Sequence, residues 1–301
     1  MENVITVSHL TKDYGNGRGV FDFDFQLEKG KIYGLVGTNG SGKTTTLRHL
    51  MGFLKPDAGE CQILGYDCWK DAAEIKKHVS YVPGDINFPD VGTGNAFLKL
   101  QAEYLGIKDL SYTNYLIDLF KLDTSAPLRR MSKGMKQKTA LVACFMAEKE
   151  VILLDEPSTG LDPLMRDVLV DLVKEQRKQG RTVFMSSHIF KELEDTCDGV
   201  LFIKDGKIVN VVNRSQYDPN MAKQYKIGFE TVEDMAKFAA VSAFKPQKIK
   251  NQFRHLTVTA TMDKINELFK ELQNFNVRYI RNLPYTLEWY YEEIIVKGGS
   301  L

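Results

Sequence analysis

One stretch limits the possible folds more than any other: GTNGSGKT, Gly37 to Thr44, which fits G-x-x-x-x-G-K-[ST]. It follows the apolar run KIYGLVG (31–37) and precedes a helical pattern. A buried strand must therefore feed a tight loop that opens a helix. The glycines let backbone N–H groups curl around an anion without Cβ clashes. The helix N-terminus adds about half a positive charge. Lys43 can reach the β- and γ-phosphates, and the Thr44 hydroxyl can bind Mg²⁺. A nucleoside triphosphate, ATP or GTP, is the expected ligand.

The flanking pattern fits an open α/β sheet. VSYVP (79–83), VILLD (151–155) and TVFMSS (182–187) are short apolar runs that suit buried, largely parallel strands covered by helices. VFDFDFQL (20–27) alternates like a half-buried strand, with Phe21, Phe23, Phe25 and Leu27 expected on one face. Residues 93–122 and 132–148 read as helical, so 85–150 is expected to be a mostly helical insertion. VLFIKDGKIV (200–209) reads as a hairpin turning at Asp205-Gly206.

Two further runs bring chemistry to the same sheet edge. In VILLDEPSTGLD, Asp155 emerges at the C-terminal end of a buried strand, where ligands gather in open α/β sheets. It suits a direct or outer-sphere Mg²⁺ partner, and Glu156 beside it can orient or deprotonate a water. FMSSHIF ends another buried strand in His188, which can face the γ-phosphate or that water. RRMSKGMKQK (129–138) poses a puzzle. A serine and a glycine open a helix among lysines, a second anion-greeting pattern apart from the first.

Composition excludes several classes. With 40 Lys+Arg against 39 Asp+Glu, the net charge is +1, and no global field points to nucleic acid. The four cysteines lie scattered without a C-x-x-C pair, which fits a reducing cytosol better than a disulfide frame or a zinc site. The opening MENVITVSHL has no apolar signal core, and no run approaches the ~18–20 apolar residues of a membrane span. Any membrane role is expected to come through a partner chain. Beyond the polar NRSQYDPN, strands (YKIGFE, HLTVTATM, VRYI) and amphipathic helices (TVEDMAKFAAV, DKINELFKEL) describe a small α+β domain. The expected division is 1–213 and 214–301. TLEWYYEEIIVK (286–297) reads as an amphipathic stretch that packs in its own domain or contacts a partner.

Taken in order, these motifs resemble the ATP-binding subunit of an ATP-binding cassette (ABC) transporter over about residues 3–210. The resemblance implies a P-loop cassette with a mostly parallel core sheet, an antiparallel β subdomain and a helical subdomain. It implies that Tyr14 in KDYGNG stacks on adenine. It implies that Gly37, Thr38, Asn39, Gly40, Ser41, Gly42, Lys43, Thr44 and Thr45 cradle the phosphates of ATP. Thr44 and Asp155 would serve Mg²⁺, with Glu156 catalytic and His188 the switch histidine. MSKGMKQK resembles the family signature, with Ser132 and Gly134 at its most telling positions and Lys133 and Met135 beside them. STGLD resembles the loop after the catalytic glutamate and ends in Asp162. Family subunits pair head to tail. The signature and this loop would therefore reach ATP held by the other subunit, which resolves the puzzle of two anion sites.

Two departures stand out. The signature carries Met131, Lys133 and Met135 where the family usually has leucine, glycine and glutamine. Such variants occur in subfamilies with small, separate permeases. After SYVP the family usually has a glutamine that touches Mg²⁺; here Gly84 stands, followed by Asp85. Water filling that position, Asp85 reaching in, and a shifted register all stay open. Because Glu156 is present, two identical copies could form active sites, and a pair of unlike cassettes also remains open. The resemblance further implies separate permease chains, a place at the cytoplasmic face of the membrane, and export of a hydrophobic or amphipathic cargo such as a peptide or antibiotic. The rival is a soluble ABC ATPase acting on nucleic acid or ribosomes. Those usually carry two cassettes or long coiled coils, whereas one cassette without a heptad arm or basic tail is seen here.

Overall fold

The computed structural model describes residues 2–214, 222–246, 248–283 and 286–292. In chain order the first part runs β1 (Asn3–Asp13), β2 (Gly19–Glu28), β3 (Ile32–Gly37), α1 (Lys43–Leu50), β4 (Ala58–Ile63), β5 (Tyr66–Asp67), α2 (Ala72–His78) and β6 (Val79–Val82). There follow α3 (Gly94–Leu105), α4 (Ser111–Leu119), α5 (Lys133–Phe145), β7 (Val151–Asp155), α6 (Pro163–Lys178), β8 (Thr182–Ser186), α7 (Phe190–Thr196), β9 (Gly199–Lys204) and β10 (Lys207–Asn213).

The apolar runs with no alternation become the buried strands. Every residue of β7 and β8 is buried, and both sit mid-sheet in the order β10-β9-β3-β8-β7-β6. β3 pairs in parallel with β8 and β9, and β7 pairs in parallel with β6 and β8. The C-terminal ends of β3, β7 and β8 thus open on one edge. Asp205 (φ 50°) and Gly206 (φ 69°) form the two-residue turn that joins β9 to β10, as a primed hairpin turn requires.

The alternating run instead builds a second, antiparallel sheet, β2-β1-β4-β5. Val20, Phe23, Phe25 and Leu27 are buried, while Asp22, Asp24 and Gln26 face out. Phe21 is only half-buried, because an irregularity in register near Asp22 (φ 57°) breaks the alternation before Phe23. This sheet shares one core with α1 and with strands β3, β7, β8 and β9, and Phe23, Leu47, Leu153 and Phe184 are all inaccessible.

The expected helical run 93–122 is divided. Gly106 (φ 70°) caps α3 by donating its N–H to the carbonyls of Ala102 and Glu103. Such a left-handed glycine ends a helix at little cost. Asp109 then accepts from the Ser111 N–H at 2.9 Å, where α4 begins.

The chain divides into two compact units, Met1–Val212 and Asn213–Leu301. The second contains β11 (Ala222–Phe229), α8 (Val232–Val241), β12 (Lys248–Lys250), β13 (His255–Thr261), α9 (Ile265–Leu272), β14 (Val277–Leu283) and the short α10 (Leu287–Tyr290). Its antiparallel sheet has the order β12-β13-β11-β14. Ile227, Phe229, Leu256 and Val258 pack with Phe238 of α8 and Leu268 of α9 in a separate core. The polar stretch NRSQYDPN and the end of TLEWYYEEIIVK lie largely outside the described residues. No described helix is long and apolar enough to cross a membrane. All four cysteines are buried, and none of them forms a disulfide. Burial pushes the thiols of Cys61 and Cys144 up to about 12.

Candidate nucleotide site

The loop after β3 needs two glycines for its shape. Gly40 (φ 81°) and Gly42 (φ 112°) adopt left-handed backbone, and Gly42 opens α1. Gly37 lies so close to the Ile203 carbonyl that a Cβ would stand 2.4 Å from it. Lys43, 7% exposed, donates to the Gly37 carbonyl at 2.9 Å and lies 3.5 Å from Glu156 Oε1. Its buried ammonium is therefore paired, as a buried charge must be.

Asp155 is fully buried at the end of β7. Its Oδ2 accepts from the Thr44 hydroxyl and its Oδ1 from the Ser186 hydroxyl, each at 2.7 Å. Ser186 also accepts the Glu156 N–H at 2.9 Å. Glu156 has φ 49°, an uncommon conformation for a residue with a side chain. That backbone turn places its carboxylate between two groups. Lys43 lies on the Oε1 side, and His188 Nδ1 stands 2.5 Å from Oε2. His188 itself is largely exposed.

Two neighbouring clefts meet over these groups. One, of 510 Å³, is lined by Tyr14, Arg18, Gly19, Asn39, Gly40, Gly42–Thr45 and Glu156. The other, of 570 Å³, is lined by Gly37–Asn39, Thr44, Arg48, Gly84, Asp85, Asp155, Glu156, Thr159 and His188. Tyr14 is half-exposed at the rim, where a ring could stack on a base. Ser41 does not line either cleft; its hydroxyl is buried without a hydrogen-bond partner among the described residues. Thr44 and Asp155 present hard oxygen donors side by side, a donor set that fits Mg²⁺. Gly84 lies directly against Asp155: a Cβ there would stand 3.1 Å from Oδ2.

The residues that resemble the family signature lie elsewhere. Ser132, Lys133, Gly134 and Met135 line neither cleft of their own chain, and neither does Asp162. Ser132 caps α5, accepting from the Met135 N–H at 3.2 Å, and Asp162 caps α6, accepting from the Met165 N–H at 3.0 Å. Gly134 backs onto the Gly160 carbonyl, and Gln137 donates to the Pro157 carbonyl at 2.9 Å. The signature helix and the loop after Glu156 thus form one surface. Sequence reasoning passed over Ser186, Arg48, Arg18 and Thr159. Ser186 carried a signal, since it ends the buried strand beside Asp155.

Known proteins place this geometry in a family. The ABC transporter family model matches residues 20–159. The chain is 33% identical over 218 residues to the bacitracin transport ATP-binding protein of Bacillus licheniformis, covering 70% of each. It is 30% identical over 235 residues to the Nod factor export ATP-binding protein I of Ralstonia nicotianae, covering 76% of this chain and 72% of that one. Among solved structures, the ATP-binding subunit of an ABC transporter superposes with TM-score 0.64 at 25% identity, over 90% of this chain and 99% of the other. A dimeric cassette bound to ADP and Pi shares the fold, with TM-score 0.62 at 20% identity over 70% of this chain and 98% of the other. The chain belongs to the ABC transporter family, as an ATP-binding and ATP-hydrolysing subunit of a membrane transporter.

Proposed function

We propose that this subunit drives export of a hydrophobic or amphipathic cargo, such as a peptide or antibiotic. One relative serves Nod factor export, which supports that direction, and another serves transport of the antibiotic bacitracin, which supports that cargo class. The subunit works as a pair of cassettes, with identical copies the simplest assembly. Separate permease chains hold it at the cytoplasmic face of the membrane. No nucleic acid takes part.

The observation that carries the mechanism is the Glu156 carboxylate held between His188 and Lys43, beside the Thr44–Asp155 pair. Glu156 orients a water and takes its proton as the water attacks the γ-phosphate. His188 fixes the Glu156 oxygen that faces it and adds a donor near the phosphate. Lys43 and the backbone N–H groups of the loop from Gly37 to Thr45 bind the phosphates. Tyr14 carries the adenine. Thr44 and Asp155 would hold Mg²⁺, which when bound neutralises charge on the β- and γ-phosphates. Because the signature of one chain lies away from that chain's clefts, Ser132, Lys133, Gly134, Met135 and Asp162 serve the ATP of the partner. ATP then joins the two cassettes, and hydrolysis lets them part.

A tagged Glu156→Gln chain, recovered from source-cell membranes solubilised with ATP and Mg²⁺, tests this reading. The expected companion is a permease with several spans. Nucleotide binding should persist while hydrolysis slows roughly 10²- to 10⁴-fold, the range for a lost general base. Recovery of ribosomes, nucleic acid or soluble factors alone would overturn the transport assignment. Hydrolysis at the parental rate would overturn the role of Glu156.

A further inference from the structure

Glu192, on α7, is a buried acid that the mechanism above does not use. It is 6% exposed. Its Oε2 accepts two hydroxyls, Ser158 Oγ at 2.9 Å and Ser187 Oγ at 3.1 Å. Those serines are 1% and 0% exposed. Ser158 belongs to the loop that runs from Glu156 to Asp162, and Ser187 immediately precedes His188. Ser187 also accepts the Ile189 N–H at 3.0 Å, so its side chain fixes the backbone on both sides of His188. On the far side of the first loop, Gly160 meets Gly134 and Pro157 meets Gln137. One continuous set of contacts therefore runs from the signature helix, through residues 157–162 and Glu192, to His188.

A buried carboxyl is a costly way to fill space. Glu192 Oε1 has no hydrogen-bond partner among the described residues. Burial raises its pKa, and the two serine hydroxyls oppose that rise. An apolar side chain would fill the same volume at lower cost, but it could not hold two loops by their serines.

We propose that Glu192 is a positioning residue that ties the Asp162 loop to the His188 loop, so that docking of a partner cassette sets the Glu156–His188 pair of the same chain. The coupling rests on the head-to-tail pairing proposed above. Glu192 lines neither cleft, and it acts through Ser158 and Ser187.

Amide hydrogen exchange on the full chain tests the link without reference to turnover. Glu192→Ala should speed exchange across 157–162 and 187–190 together. In hydrolysis assays it should lower kcat roughly 10- to 100-fold, the scale of a misplaced catalytic group. KM for ATP should stay within about two-fold, since no phosphate contact is removed. Glu192→Gln keeps an oxygen for the two hydroxyls and should restore most of the rate. If Glu192→Ala does not fold, Ser158→Ala with Ser187→Ala removes the same link from the other side and should give the same paired change. Faster exchange in one loop only, or an unchanged kcat, would overturn the link. ATP-driven pairing of the Glu156→Gln chain, followed by light scattering, checks the reading beneath it. Absent pairing would overturn the coupling to a partner, whereas intact pairing with uncoupled exchange would overturn the role of Glu192 alone.

Discussion

Glu156 and Gly84 occupy unusual positions for opposite reasons. Glu156 has a side chain where left-handed backbone favours glycine. Gly84 lacks a side chain where its neighbour Asp155 leaves little room for one. The glutamine usual at that position in the family would place its Cβ 3.1 Å from an Asp155 oxygen already fixed by Thr44. Asp155 would have to yield by a few tenths of an ångström, and Thr44 with it. Gly84→Gln should therefore weaken Mg²⁺-dependent ATP binding by roughly 3- to 10-fold, equivalent to about 1 kcal/mol of overpacking. Titration with a fluorescent ATP analogue, with and without Mg²⁺, checks this. Tighter binding, or near-zero parental turnover that Gly84→Gln restores, would mean that the chain lacks a contact it needs. Asp85 lines the same cleft and offers an oxygen there, so hydrolysis is expected to persist without the glutamine.

At the scale of elements, the strand–loop–helix unit around Gly37–Thr44 was legible because its signals are local. An apolar run, glycines at fixed spacing and a helical pattern all fall within a few residues. Asp155 and Glu156 were legible for the same reason. The link through Glu192 was not. Nothing local in FKELEDT marks one of its three acids as buried, and only the parallel pairing of β7 with β8 brings Ser158 within reach of a residue 34 positions later. Alternation in VFDFDFQL likewise announced a strand but not the register irregularity that displaces Phe21. Packing between elements also sets the cost of change at the signature. A Cβ on Gly134 would meet the Gly160 carbonyl at 2.6 Å, a backbone atom with little freedom to retreat. Gly134→Ala should destabilise the first unit by about 1–3 kcal/mol and lower Tm by roughly 2–10 °C. Thermal unfolding followed by circular dichroism reads this out, and an unchanged Tm would show that α5 can move off the loop freely.

For the whole molecule, separate cores among the described residues of the two units predict two separable folding units. Phe23, Leu153 and Phe184 belong to one core, Phe229, Phe238 and Leu256 to the other. A chain ending near Asn213 retains every residue that lines the two clefts. It should fold and bind ATP within about two-fold of the full chain, because domains with their own cores fold as units. Calorimetry and nucleotide titration on the truncated chain check this, and an unfolded product would contradict the division. In the sequence the pattern of strand and helix signals changes near residue 211. What composition left open about the cysteines has a practical consequence. All four cysteines are buried, and burial keeps the thiols of Cys61 and Cys144 protonated far above neutral pH. A maleimide dye offered to the folded native chain should find no handle. A single cysteine introduced at an open site such as Tyr104, 87% exposed, would become a unique address for a fluorophore, with no need to strip the native sulfurs first.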